Sequence, residues 1–132
     1  MMTNFENITA PLNDIERKAA EIIAKGMLSH VGADHSVTAS TIANGMAKNF
    51  AEMRIVDAHG IVRPYLTGPR IRKIMNYIRR NHMCRFLIAS SDGYYLATDS
   101  NEVCKYIKSL DERIEAIQAM QAALKQELQT TH

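Results

Sequence analysis

The stretch Thr67-Gly68-Pro69-Arg70-Ile71-Arg72-Lys73-Ile74-Met75-Asn76-Tyr77-Ile78-Arg79-Arg80-Asn81, followed by Arg85-Phe86-Leu87-Ile88-Ala89, Ser91-Asp92-Gly93 and Tyr94-Tyr95-Leu96-Ala97-Thr98, decides how this chain folds. Thr67 can cap the free amides of a helix, and Pro69 sits where a first turn needs no donor. At about 100° per residue, Ile71, Ile74, Met75 and Ile78 fall on one arc and Arg72, Lys73, Asn76 and Arg80 on the other, with Arg70, Tyr77 and Arg79 at the margins. One face packs and the other presents cations. Asn81 tolerates a left-handed cap, and beyond His82 the helical period gives way to strand formers from Arg85 to Ala89. An Asp-Gly pair between two such runs predicts a hairpin, with its turn at Ser91-Asp92-Gly93 and a positive φ at Gly93. The helix is expected over about 68–81 and the hairpin over about 85–98. Tyr94 and Tyr95 alternate across their strand, so one is expected in the core and the other on the surface.

The net charge of +2 is unevenly divided along the chain. Residues 1–66 carry six Lys/Arg against seven Asp/Glu, residues 67–98 six against one, and residues 99–132 four against six, giving −1, +5 and −2. A concentrated positive stripe between neutral or acidic flanks is the footprint of a polyanion partner, whereas a merely solvated helix face interleaves acids with its bases. Between Arg70 and Arg85 there is no acid.

A helix with Gly68, Ile71, Arg72, Ile74, Arg79 and Arg80 at these intervals, then a short hairpin ending Gly93-Tyr94-Tyr95-Leu96-Ala97, resembles the winged helix-turn-helix family. It is most similar to the small winged-helix proteins of bacteriophages and prophages, over about half the chain, from Thr67 to near Met120. The resemblance implies a mainly α fold with a small β-hairpin wing (α+β), and a recognition helix that enters the major groove of double-stranded DNA. Arg72 and Asn76 then suit guanine and adenine edges, and Lys73, Arg79 and Arg80 suit phosphates. Arg70 and Tyr77 flank that face, and Ser90 and Ser91 at the wing tip can reach the backbone or the adjacent minor groove. The resemblance further implies a phage or prophage setting, as a transcriptional regulator or replication accessory factor.

Before this stretch, a core-facing helix can start at Thr9-Ala10-Pro11 or at Asn13-Asp14. Leu12, Ile15, Ala19, Ile22, Ile23 and Met27 recur near helical spacing as far as Val31-Gly32, with Glu16, Arg17, Glu21 and Lys25 as solubilising charge outside. A second helix follows from about Thr38 or Ala39 to Phe50, with Ile42, Ala43, Met46 and Phe50 inward and Ser36, Thr38 and Ser40 competing for its cap. In the resembled family this helix buttresses the recognition helix after only a few residues. Here roughly 16 intervene, residues 51–66, and two Ile-Val runs around Ala58-His59-Gly60 predict a small extra hairpin.

After the hairpin, Asp99 with Glu102 makes a capping-box-like start to a helix ending near Leu128. Val103, Ile107, Leu110, Ile114, Ile117, Leu124 and Leu128 lie on a heptad seam interrupted by Gln121. About 26 residues span roughly 39 Å, longer than a small domain covers, so Leu110, Ile114, Ile117, Leu124 and Leu128 are expected to pair with a second copy. The organisation expected is a DNA-binding domain over residues 1–98 and a C-terminal dimerisation helix over 99–132.

At 132 residues and 46% hydrophobic content the chain has room for one modest core. No apolar run approaches the roughly 20 residues of a membrane helix, and residues 1–7 lack the charge and apolar stretch of a secretory signal, so a cytoplasmic protein is expected, in a host cell if phage-encoded. Cys84 and Cys104 are expected as reduced, partly buried thiols. His30, Asp34 and His35 are spaced for different helix faces and Asp57 and His59 stand alone, so no metal is expected. No phosphate-binding glycine loop or paired acids argue for catalysis, a cofactor or a small-molecule substrate. Two other readings are a winged-helix module docking on a host protein and a DNA-binding packaging or assembly subunit.

Overall fold

The computed structural model describes residues 11–131. The possible helix start at Thr9-Ala10 and the stretch 1–7 lie outside the described residues. The fold is α+β: among the described residues there are four α-helices, the last of them a long C-terminal one, and two small antiparallel hairpins. The chain forms two compact units that divide between Thr98 and Asp99.

In the first unit, α1 (Asp14–Gly26) begins at an Asn13 capping box: Asn13 accepts from the Glu16 amide at 2.8 Å and its own amide donates to the Glu16 carboxylate at 2.9 Å. One 3₁₀ turn (Met27–Ser29) ends it, short of the expected Val31. Leu12, Ala19, Ile23 and Met27 are buried, as their spacing requires. Helix α2 (Ala39–Asn49) is capped by Thr38, which wins over Ser36 and Ser40 by accepting from the Thr41 amide at 3.1 Å. Ala43, Met46 and Ala47 face the core.

The segment between α2 and α3 (Gly68–Arg80) holds the extra hairpin, β1 (Arg54–Val56) with β2 (Val62–Pro64), in the register Ile55↔Arg63. Asp57 organises its turn by accepting from the amides of His59 and Ile61 at 2.8 and 2.9 Å, and Gly60 takes φ +77°. No tight turn joins α2 to α3. Ile55, Val56, Ile61 and Val62 stand 47–62% exposed on this hairpin.

Helix α3 buries Ile71, Ile74, Met75 and Ile78 to 1% exposure or less, each worth about 1.5–3 kcal/mol of apolar burial, so this face anchors the core. Thr67 starts the helix by backbone alone: its carbonyl accepts from Ile71 at 2.9 Å and its hydroxyl makes no capping bond. The left-handed residue after α3 is His82 (φ 54°), one place beyond the expected Asn81, whose φ is −98°. Phe86 is also left-handed (φ 63°), so the strand β3 (Leu87–Ser90) starts two residues after Arg85. It pairs with β4 (Gly93–Leu96) across a two-residue turn, Ser91-Asp92.

A feature absent from the sequence reading is a third chain segment beside this hairpin. Val31 bridges Leu96 and Val37 bridges Tyr94, with the Val37 and Tyr94 amides exchanging bonds of 2.9 and 2.8 Å to each other's carbonyls. Tyr95 is buried and Tyr94 half-buried against the core, so neither tyrosine takes the surface position expected of one of them. Cys84 is buried, its thiol donating to the Ala24 carbonyl at 3.2 Å, and burial pushes its pKa up. Cys104 is exposed instead of partly buried.

The second unit is the helix α4 (Ser100–Thr130), 31 residues long rather than about 26, with Asp99 accepting from the Glu102 amide at 2.9 Å. From Asp111 to Thr131 every residue is exposed, including Ile114, Ile117, Leu124 and Leu128. No helix among the described residues is long and apolar enough to cross a membrane.

Candidate nucleic-acid interface

Helix α3 presents its polar face because its apolar face is locked into the core, and the cations there divide into two sets. Arg72 and Arg80 are exposed, and Asn76, Tyr77 and Arg79 are half-buried along the same side. Arg85, exposed just beyond the helix, lies over the Phe86 ring at 4.9 Å. These residues carry no acid among them.

Arg70 and Lys73 are placed otherwise. The Lys73 ammonium lies 2.8 Å from one oxygen of Glu16 and the Arg70 guanidinium 3.2 Å from the other. Glu16 has no exposed side-chain surface, and the Lys73 side chain keeps only 15% of its own. Arg70 also stacks over the Tyr65 ring at 4.4 Å, while the Tyr65 hydroxyl accepts from the Asn13 amide nitrogen at 2.9 Å. Five residues thus tie the start of α1 to the first turns of α3. Burial by itself raises the pKa of the Glu16 carboxyl; the Lys73 hydrogen bond, the Asn13 amide, the Lys73 charge and the Arg70 hydrogen bond outweigh it and hold that pKa below the ordinary value.

The expectation that Glu16 is solubilising charge is therefore overturned. Leu12, Glu16, Ala19, Ala20 and Ile23 share one helical stripe, and all five are buried. A carboxylate on that stripe, at the third position after an Asn cap, was the signal for this role. With Glu16 counted, the charge near α3 falls from +5 to +4, and what remains is carried on the outer side. A polar concavity of about 280 Å³ opens between Thr67, Pro69, Arg70 and Lys73, beside that network.

At the hairpin tip Ser90 and Ser91 are both exposed, and the Ser90 hydroxyl donates to the Gly93 carbonyl and accepts from the Asp92 amide, both at 3.2 Å. Gly93 holds φ +121°, and a Cβ there would meet the Val37 carbonyl oxygen at 2.4 Å. The hairpin tip is thereby pressed onto residues 37–38. Among the described residues no three His, Cys, Asp or Glu side chains converge as a metal site requires.

Compared with known protein families, curated proteins and solved structures, the chain matches none. The interface therefore has to be read from its own chemistry.

Proposed function

We propose that the first unit is a winged-helix module that binds double-stranded DNA, with α3 in the major groove and the β3–β4 hairpin against the adjacent backbone, and that it performs no chemistry of its own. The observation that carries this reading is the acid-free outer side of α3, where Arg72 and Arg80 stand in solvent while the one nearby carboxylate, Glu16, is committed to Arg70 and Lys73. A surface meant only for solubility has no need of that segregation. Arg72 and Asn76 take the base edges, and Arg80, Arg79 and Ser91 take phosphates. Arg70 and Lys73 orient the helix instead of binding. The biological reading is a phage-type transcriptional regulator or replication factor, working in the cytoplasm as a pair joined through α4.

The test is a salt titration on random duplex and on a site selected from random sequence. Binding whose logarithm falls linearly with log salt supports the proposal, with a slope near −0.9 per phosphate contact. No binding to either duplex at low salt overturns it.

One observation favours a second reading, a module that docks on another protein: four large aliphatic side chains, Ile55, Val56, Ile61 and Val62, stand exposed on the β1–β2 hairpin, Val56 and Val62 paired across it. Replacing Ile55 and Val62 by serine leaves DNA binding intact under the first reading, and abolishes function without touching DNA affinity under the second.

A further inference from the structure

The exposed seam of α4 is periodic enough to say how two copies meet. In heptad terms Ile107, Ile114, Gln121 and Leu128 occupy one inward position (a), and Val103, Leu110, Ile117 and Leu124 the other (d). The flanking positions carry Asp111, Gln118 and Lys125 on one side (e) and Arg113, Met120 and Glu127 on the other (g), all of them exposed. These flanks decide between the two orientations, because paired helices set different flanks together.

In a parallel pair each g residue faces the e residue five places on in the second copy. Arg113 would meet Gln118 and Met120 would meet Lys125, so no opposite charges pair. Such a coil also favours a β-branched residue at a and leucine at d. Ile107 and Ile114 at a with Leu110 and Leu124 at d meet that preference, while Ile117 at d and Leu128 at a go against it. Gln121 would face its own copy, a single amide pair.

In an antiparallel pair e faces e, g faces g, and each a layer meets a d layer. With the two-fold axis level with Ala119, Leu110 packs on Leu128 of the second copy, Ile114 on Leu124 and Ile117 on the stem of Gln121. The same register sets Asp111 against Lys125 and Arg113 against Glu127, each pairing occurring twice. Met120 meets Met120 and Gln118 meets Gln118 near the axis. Sliding one heptad either way sets Asp111 against Gln118 or against position 132, His132, and two heptads toward the N-terminus set Asp111 against Asp111. Only this register joins opposite charges on both flanks.

We propose that α4 pairs antiparallel with α4 of a second copy, in the register that sets Asp111 against Lys125 and Arg113 against Glu127. The proposal rests on the tail being the pairing element and is independent of DNA binding. Cross-linking under oxidised glutathione tests it on the full chain with Cys104 replaced by serine, Cys84 being buried. Gln118→Cys should cross-link two chains, its two copies being offset by about 3 Å along the axis, and Leu110→Cys should not, its copies being about 27 Å apart at 1.5 Å per residue. Asp111→Lys should weaken the dimer about tenfold by opposing two lysines twice, and Asp111→Lys with Lys125→Asp should restore it. Cross-linking through Leu110→Cys but not Gln118→Cys overturns the orientation and leaves pairing through the tail standing. A monomer at every concentration overturns both.

Discussion

The Lys73 ammonium and the Glu16 carboxylate lie 2.8 Å apart, joining the third residue of α1 to the first turns of α3, with the carboxylate entirely shielded from solvent. An ion pair of this kind is costly to break from one side, because the surviving charge stays behind with little water to replace its partner. Glu16→Gln should cost about 3 kcal/mol, and thermal denaturation of the variant checks it. The pH dependence has a definite sign. The folded-state pKa of Glu16 is lowered, so its contribution is complete above the ordinary value of 4.5 and is lost as pH falls through the lower folded value. Acid unfolding below that pH should be shallower in Glu16→Gln, and an unchanged acid limb would count against the coupling.

Lysine 73 and arginine 80 should separate cleanly. Lys73→Ala should lower the melting temperature and leave the salt slope of DNA binding unchanged. Arg80→Ala should leave the melting temperature within a degree or two and reduce the slope by about 0.9. Equal slopes for the two variants would return Lys73 to the interface.

Base recognition predicts a third contrast. Arg72→Ala or Asn76→Ala should cost about 1–3 kcal/mol on a selected site and much less on random duplex. Competition binding on the two duplexes reads this directly.

The hairpin offers a test of fold without function. Gly93→Val forces a branched side chain into φ +121° and onto the Val37 carbonyl, so a loss of at least about 2 kcal/mol is expected. That is roughly 8–16 °C for a unit of about 100 residues. Ser91→Ala, exposed and without a capping role, should stay within about 0.5 kcal/mol of the parent.

For the tail, Ile114→Asp with Ile117→Asp should give monomers by sedimentation equilibrium while the first unit keeps its melting transition. A parent chain that already sediments as a monomer would remove the pairing altogether.

Periodicity made much of this legible. Ile71, Ile74, Met75 and Ile78 were placed correctly because a 3.6-residue repeat with no competing face has one solution. The β1–β2 hairpin is legible in the two Ile-Val runs around Ala58-His59-Gly60, and the β3–β4 hairpin in the turn chemistry of Ser91-Asp92-Gly93. The role of Glu16 is hidden in its residue type, because its position on the Leu12–Ala19–Ile23 stripe outweighs its polarity once two cations are in reach. The bridges of Val31 and Val37 to β4 could not be read locally, since single-residue pairings leave no periodic trace. The helix ends at Arg80 with Asn81 as its cap, and the left-handed residue falls one place later, at His82, a shift too small for composition to resolve.

Those two bridges have a kinetic consequence. They join positions on the order of 60 residues apart, so most of the first unit's chain must be gathered before they can form, and loop-closure entropy opposes them until the α1–α3 core is in place. The hairpin β3–β4 can zip locally, but its attachment to residues 31–37 is a late event, and the first unit is incomplete until Leu96 has been synthesised. Native-state hydrogen exchange should register this order: the amides of Val37 and Tyr94, each held at 2.9 Å or less, should exchange only when the whole unit opens.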